Sequence, residues 1–399
     1  MRRAWAAALL AVAALLTAAA TAASAPLLAF TPTELQQILS HGPWPPPVAL
    51  DAGNAQAGQP HAIALGQALF FDARLSPDAS LSCASCHVPA LAFADGRARS
   101  VGRAPLERNA PSLWNAVHER WYGWDGAADS LWSQAIRPLL DPREMAASAE
   151  HVARTIATDP ALACRYRQVF GGEPGADPQR TLVHAAKALG AYTGSLVSGR
   201  TAFDAFRDAL QRGDRRAAAR YPLAAQRGLR LFVGRGQCKV CHTGPMFSNG
   251  EFGDTGLPFF SQPGVVDPGR HGGIAALRAS AYSLLSPWSD ASDTAVTVKT
   301  RHVVAQHRNF GEFKVPSLRN VADTAPYMHD GQLATLSDVV RHYSELNLDR
   351  LHADGEQILL PLHLSAQESA DLTRFLQTLS DHKASTWKPR VLPACKAGQ

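Results

Sequence analysis

The chain has 399 residues and is most informative at first for what it lacks. Its formal net charge is only +5 and no run of basic residues occurs, so we expect no nucleic-acid partner. Beyond residue 25, no stretch is long and apolar enough to span a bilayer. Alternating strand patterns are nearly absent, which argues against a fold rich in sheet. Only six cysteines occur, and their spacing is therefore informative.

The first residues have the pattern of a secretory signal peptide. Arg2 and Arg3 precede the apolar run 4–16, and small residues follow at 20–25. An uncleaved membrane anchor is the alternative, but the run is rich in alanine and only weakly apolar. We therefore expect a signal peptide at 1–25 and a mature protein in the periplasm, without stable insertion into the membrane.

Four of the six cysteines belong to two Cys-x-x-Cys-His pentads. The pentad residues are Cys83, Cys86, His87, Cys238, Cys241 and His242. This pattern is typical of c-type haem attachment, in which the cysteines form thioether links and the histidine binds the iron. Half a zinc ribbon or a thioredoxin-like pair is the alternative, disfavoured by the histidine after each second cysteine and by the export signal. The sequence thus predicts two covalently bound haem c groups.

The other two cysteines, Cys164 and Cys395, lie outside the pentads. In an oxidising compartment an even leftover pair suggests a disulfide, with two unpaired thiols as the alternative. Such a bond would tie the C-terminal tail, 386–399, back to the N-terminal domain.

The two halves of the chain repeat a short motif. Gly66-x-x-Leu69-Phe70 precedes the first pentad and Gly228-x-x-Leu231-Phe232 precedes the second, as expected of a duplicated unit. We predict a mainly α fold with long loops and little sheet. It would comprise two cytochrome c-like domains, 26–215 with the first haem and 216–385 with the second. Predicted helices are 149–157, 181–196, 226–232, 336–346 and 366–379, and 267–300 is predicted as a long loop over the second haem.

Further motifs surround the pentads. They are 65–87 (LGQALFFDARLSPDASLSCASCH), 108–115 (RNAPSLWN), 124–126 (WDG), 313–320 (FKVPSLRN) and 324–331 (TAPYMHDG). Over about residues 60–380 the chain resembles the bacterial di-haem cytochrome c peroxidases and the related MauG group. The resemblance implies two cytochrome c-like domains that use hydrogen peroxide. The sixth ligand of each iron distinguishes the branches of the group.

The resemblance implies an open iron at the first haem. In the ordinary peroxidases, a histidine sixteen residues after the proximal histidine caps this iron, but here that position is Arg103. A guanidinium stays protonated and has no lone pair for iron; a different capping residue is the alternative. Cleavage of peroxide needs a base and a polar group, and family spacing assigns Glu144 and Gln134 to these roles. Trp124 matches the tryptophan that relays charge between the haems.

At the second haem, Tyr343 stands where the ordinary peroxidases use a methionine ligand, fourteen residues after His329. Helical spacing independently places Tyr343 on the apolar face of its helix with Val340. Met328 and Met246 are the competing ligands. A phenolate favours ferric and higher iron states, whereas a thioether favours ferrous iron. Tyrosine ligation resembles MauG, where it implies a state in which both irons are formally Fe(IV).

The resemblance also implies a calcium ion between the domains. Asn109, Thr324 and Pro326 match the family's calcium position, and amide and carbonyl oxygens suit Ca²⁺.

Together these features predict a periplasmic MauG-type peroxidase. Hydrogen peroxide would bring it to a two-iron high-valent state that oxidises a side chain of a partner protein. Tryptophan is the expected target, as the resemblance to the methanobactin-associated MbnH branch implies. One alternative is an ordinary cytochrome c peroxidase fed by a small cytochrome c or cupredoxin; Arg103 and Tyr343 count against it. Another is a non-enzymatic di-haem electron carrier or sensor, against which Gln134 and Glu144 argue.

Overall fold

A computed structural model describes residues 26–257, 260–262, 265–347, 358–381 and 386–395. The predicted signal peptide, 1–25, lies outside the described residues. Helices and loops dominate, and the strands are only two or three residues long. The prediction of a mainly α fold with little sheet is confirmed. In the part of the chain that is described, no helix is long and apolar enough to cross a membrane.

The regular elements are short and follow the chain in two groups around the pentads. The helices are α1 Pro32–Leu39, α2 Pro60–Phe70, α3 Cys83–Cys86, α4 Leu131–Leu140, α5 Ala149–Thr158, α6 Pro160–Phe170, α7 Pro178–Gly194, α8 Ala202–Gln211, α9 Arg215–Ala218, α10 Leu223–Val233, α11 Gly269–Ala279, α12 Thr294–Arg301, α13 Leu336–Ser344 and α14 Ala366–Gln377. The strands are β1 Phe252–Asp254, β2 Phe260–Gln262, β3 Val265–Val266 and β4 Glu312–Lys314. β1 pairs antiparallel with β4, and β2 with β3.

The predicted helices at 149–157, 181–196, 226–232, 336–346 and 366–379 are confirmed as α5, α7, α10, α13 and α14. Side-chain caps explain the starts of all of these helices except α10, which follows Pro222. In α13 the Thr335 hydroxyl accepts from the Asp338 amide while the Asp338 carboxylate accepts from Thr335. The capping box fixes the helix start and hence which residues face the core.

The prediction that 267–300 is a loop is wrong, because the segment contains α11 and most of α12. α11 packs against β4 of the C-terminal half, and other parts of the segment bond to the N-terminal half. The Leu284 amide and the Thr300 hydroxyl both donate to Asp129, at 2.9 and 2.8 Å. The Ala55 amide donates to Asp290. These long-range partners offset the cost of ordering a segment that is poor in large apolar residues.

The first hydrophobic core surrounds α7 and is built from residues 65–196. α7 is buried on several sides, and its alanines and glycines let neighbouring helices approach closely. Gly66 marks one crossing, because a Cβ there would lie 2.0 Å from the Ala188 carbonyl oxygen. No larger residue fits without moving α2 away from α7.

The second core is built around α10 and α14. Gly228 repeats the role of Gly66, since a Cβ there would lie 2.0 Å from the Asp371 carbonyl oxygen. The duplicated motif therefore encodes a helix crossing in each half. Ile38 of α1 and Phe203 of α8 also pack in this second core, although both precede the boundary expected at 215 and 216.

The tail returns to the N-terminal half. Cys164 and Cys395 form a disulfide with a Cα–Cα distance of 6.0 Å, which confirms the predicted pair. Gln67 donates to the Arg390 carbonyl and accepts from the Arg390 amide, at 2.7 and 3.1 Å. The described tail is thus fixed to α2 and α6.

Candidate active site

Both pentad histidines are oriented in the same way. His87 Nδ1 lies 3.0 Å from the Phe93 carbonyl oxygen, and His242 Nδ1 lies 2.9 Å from that of Phe247. A proton on Nδ1 satisfies each bond and leaves the Nε2 lone pair free for iron. Burial lowers the pKa of both imidazoles and so favours the neutral form that binds metal. The side chains therefore fit axial ligation at both pentads.

A cavity of about 630 Å³ opens beside the first pentad. Its lining includes Cys83, Cys86 and His87, and also Trp124, Gln134 and Glu144. The volume falls in the ordinary range of cofactor pockets, about 300–1,000 Å³. The structure thus brings the thioether-forming cysteines, one axial histidine and the predicted catalytic residues to one pocket.

Gln134 is held by α4, which begins at the Ser130 cap. Its Oε1 atom is buried and has no hydrogen-bond partner among the described residues. An unsatisfied buried polar atom costs about 1–3 kcal/mol, so this position is suited to a polar ligand within the cavity. The amide therefore fits the predicted role of polar lining.

Glu144 lies in the turn that follows α4. Burial, reinforced by the charge of Asp141, raises the pKa of its carboxyl, while Arg137 and Arg143 oppose the shift. A raised pKa brings a carboxyl closer to the range in which it can both take up and release a proton. The burial and the raised pKa fit the acid–base role predicted for Glu144.

The segment carrying Arg103 fixes the Glu144 turn. The Arg103 amide donates to the Glu144 carbonyl at 3.2 Å, and a Cβ at Gly102 would lie 2.5 Å from the Arg143 carbonyl oxygen. The Arg103 side chain is paired with Asp78 and about a third of it is exposed. This position contributes backbone support to the pocket and keeps its side chain in an ion pair.

Trp124 lies where the two halves meet. Its Nε1 donates to the Asn109 carbonyl at 2.9 Å, and its carbonyl accepts from the Lys314 amide at 2.8 Å. Lys314 belongs to β4 in the C-terminal half, and both it and Trp124 line the cavity. The indole is therefore fixed at the junction of the halves, as a relay residue would require.

Sequence reasoning missed a buried charge cluster beside Trp124. Arg108 pairs with Asp125 at 2.7 Å and with Asp267 through two bonds of 2.9 and 2.7 Å. Arg270 donates to the carbonyls of Asp125 and Gly126. Arg108 belongs to the RNAPSLWN motif, so the sequence did indicate that this segment is functional. Its partner Asp267 lies in the segment predicted as a loop over the second haem, and the ion pair was therefore not predicted.

The second pentad is carried by a 3₁₀ turn, Cys238–Val240, and Cys238 packs against the second core. In α13, Leu336 and Val340 are buried in that core and Tyr343 is half-buried. Of the competing ligands, Met328 and Met246 are also half-buried. Tyr343 remains the predicted ligand, on a helix that shares its core with the pentad.

The predicted calcium residues lie on two connected segments. The backbone N–H of Asn109 donates to the His329 carbonyl at 2.7 Å. This bond joins Asn109 to the segment that contains Thr324 and Pro326. The Asn109 Nδ2 donates to the Arg97 carbonyl at 2.6 Å, so its Oδ1 is the atom suited to a cation. Among the described residues no group of three or more acidic, histidine or cysteine side chains could hold a metal ion.

Comparison with known proteins decides the family. The family model for di-haem cytochrome c peroxidase matches residues 60–212. The methylamine utilization protein MauG of Methylorubrum extorquens is 35% identical over 334 residues, covering 83% of this chain and 82% of that protein. The chain belongs to the di-haem cytochrome c peroxidase and MauG family.

Other members are similarly related. The cytochrome-c peroxidase IdrP2 of a Pseudomonas species is 35% identical over 337 residues, covering 82% of this chain and 83% of that protein. A crystal structure of a MauG-like protein associated with microbial copper homeostasis is 30% identical, with a TM-score of 0.63, covering 86% of this chain and 97% of that one. The protein is therefore an oxidoreductase that acts on peroxide, which sets aside the non-enzymatic carrier.

Membership of the family implies one haem c at each pentad, and the residues present fit it. Cys83, Cys86 and His87 would hold the first group. Cys238, Cys241 and His242 would hold the second. Haem iron, when bound, supplies the redox chemistry of peroxide cleavage, and the protein supplies orientation and proton transfer.

Proposed function

We propose that this protein is a MauG-type di-haem peroxidase of the periplasm. Hydrogen peroxide would react at the first pentad, the two oxidising equivalents would be shared with the second, and a side chain of a partner protein, preferably tryptophan, would supply the electrons. The observation that carries the proposal is the cavity in which Gln134 and Glu144 lie with Cys83, Cys86 and His87.

Glu144 and Gln134 divide the work on peroxide. Glu144 takes a proton from one peroxide oxygen and returns it to the other, which leaves as water. Its raised pKa supports both halves of this transfer. Gln134 holds the leaving oxygen, because its buried and unpartnered Oε1 accepts a hydrogen bond from that oxygen once it is protonated.

Two positions favour the MauG type over the ordinary peroxidase. Arg103 has no lone pair for iron and its side chain is paired with Asp78, so the first iron would be open. A Tyr343 phenolate would stabilise ferric and higher states of the second iron, where a methionine would favour electron uptake. Trp124, fixed between the halves, would pass charge from one site to the other.

The rival function is that of an ordinary cytochrome c peroxidase with a small redox-protein donor, and the similarity to IdrP2 supports it. The two functions differ in what reduces the oxidised enzyme. Fully ferric protein is mixed with hydrogen peroxide and then offered either N-acetyltryptophanamide or a reduced small cytochrome c. The proposal expects faster loss of the oxidised state with the indole, and E144Q should suppress its formation. Reaction with the cytochrome alone, after prior reduction of one haem, would support the rival.

We also propose one Ca²⁺ between the halves, bound by the Asn109 side chain and the carbonyls of Thr324 and Pro326 with waters. The link from Asn109 to the His329 segment supports this set. Metal analysis of the purified protein should give one calcium per chain, and N109A should lose it while the pentads keep their haem content.

A further inference from the structure

Several tryptophans carry a cation over the ring. A nearby positive charge stabilises the neutral indole and opposes the loss of an electron. The pairs are Arg319 over Trp44 at 3.6 Å, Arg270 and Lys299 over Trp121 at 4.3 and 5.0 Å, and Lys187 over Trp132 at 5.7 Å. An electron is therefore harder to remove from these three rings.

Trp387 differs from these residues. Within the described ranges, no lysine or arginine lies over its ring, a property that it shares with Trp114, Trp124 and Trp288. The indole stacks against Phe71 at 6.4 Å and meets the edge of Phe93 at 5.0 Å between ring centroids. The Phe93 carbonyl accepts the hydrogen bond from His87 Nδ1. Trp387 is thus separated from the proximal histidine of the first pentad by a single phenylalanine.

A disulfide and several hydrogen bonds hold Trp387 in this position. We define the strap as residues 386–395, which follow the second core in sequence and return to the first. The strap is fixed by the Cys164–Cys395 disulfide and by the two bonds between Gln67 and Arg390. The Arg165 guanidinium also donates to the Pro393 carbonyl at 2.5 Å. Trp387 itself is half-buried, so the indole contacts both the core and solvent.

We propose that Trp387 is an internal oxidation site, the side chain that gives up electrons when peroxide is consumed without an external donor. This inference rests on the peroxidase function proposed above. Electron transfer slows steeply with distance, which favours the two indoles that meet the Phe93 ring, Trp114 at 5.2 Å and Trp387 at 5.0 Å. Trp114 is buried, whereas Trp387 is half-buried and so accessible to the water that supplies the added oxygen. Two electrons and two protons leave Trp387 and water, an oxygen from water joins the indole, and peroxide is reduced to two waters. The net change is tryptophan plus peroxide to hydroxytryptophan plus water.

The test treats the haem-loaded protein with excess hydrogen peroxide and no donor, then maps the tryptic peptide 384–390 by mass spectrometry. The proposal expects one added oxygen on Trp387. W387F should lose this change and retain the oxidised optical state several-fold longer. The matched control is W288F, because Trp288 is also half-buried against the first core; it should behave as the unaltered protein.

Peptide mapping of the unaltered chain needs no variant, so a folding defect in W387F would not remove the test. An optical reaction with peroxide that leaves Trp387 unmodified would overturn this inference and leave the proposed function standing. Absence of any optical reaction would overturn both.

Discussion

Arg103 Nη1 lies 2.5 Å from Asp78 Oδ2. The pair fixes the arginine side chain at the position that the family resemblance matches to the capping histidine of the ordinary peroxidases. The backbone of the same residue donates to the Glu144 carbonyl. Under the proposed function, Arg103 would leave the first iron without a capping ligand, and its backbone supports the turn that carries Glu144.

Truncating this side chain should leave the first iron unchanged. R103A removes the guanidinium but keeps the amide that donates to Glu144. We expect the ferric spectrum and the rate of reaction with peroxide to stay close to those of the unaltered protein. D78N, which breaks the same ion pair from the other side, is the control. A change of spin state in R103A alone would mean that Arg103 occupies the iron site.

Removing the Glu144 carboxylate should slow the reaction with peroxide. General acid–base catalysis contributes about 10²–10⁴-fold, so E144Q should lose a factor in that range. E107Q is a matched control, because Glu107 lines the same cavity but pairs with Arg143 at 2.6 Å. Stopped-flow absorbance measures both rates. Equal rates for the two variants would remove Glu144 from the mechanism.

The pH dependence of the rate of reaction with peroxide should reflect the pKa of the Glu144 carboxyl. Burial raises the Glu144 pKa, so the protonated form persists to higher pH than in an ordinary glutamate. Since the base must be ionised to accept a proton, the rate should fall as the pH is lowered through this raised pKa and level off above it. E144Q should show no such fall. A flat profile in the unaltered protein would contradict the assignment.

Replacing Tyr343, the predicted ligand of the second iron, should change the reduction potential of one haem and the reaction with peroxide. Y343M replaces a phenolate by a thioether, which favours ferrous iron. We expect a large rise in the reduction potential of one haem and loss of the shared oxidised state after peroxide. V339M, one helical turn earlier in α13, is the control. An unchanged reduction potential in Y343M would mean that another residue ligates this iron, and Met328 would then be the first candidate.

The repeated glycines should be intolerant of a methyl group. G66A would place its Cβ 2.0 Å from the Ala188 carbonyl oxygen, and overpacking of this kind costs about 1–3 kcal/mol. G228A faces the same contact with Asp371. Gly172, which has no atom within 4 Å of a Cβ, provides the control. Thermal unfolding should show lower midpoints for the first two variants only.

The sequence predicted the parts of the fold that depend on local pattern. The pentads, the capping box of α13 and the helix periodicity of α7 are all contained in short stretches of chain. The disulfide was predictable because only two cysteines remained once the pentads were assigned. The catalytic assignment depended on family spacing, since a lone glutamate after a proline has no distinctive local signal.

Long-range contacts could not be predicted in this way. Segment 267–300 is ordered by Asp129 and other partners more than 150 residues earlier, which its own composition does not reveal. The carbonyls that orient the pentad histidines depend on positive φ at Phe93 and Phe247, residues with no preference for that conformation. Trp387 reaches the first core only because the tail folds back.

The most direct test of the account adds one equivalent of hydrogen peroxide to the fully ferric protein and records the spectrum from the Soret band to the near infrared. The account predicts rapid loss of both ferric signals together with a near-infrared charge-resonance band. No reaction until one haem has been reduced would contradict it, because the first iron would then be capped and the protein would act as an ordinary cytochrome c peroxidase.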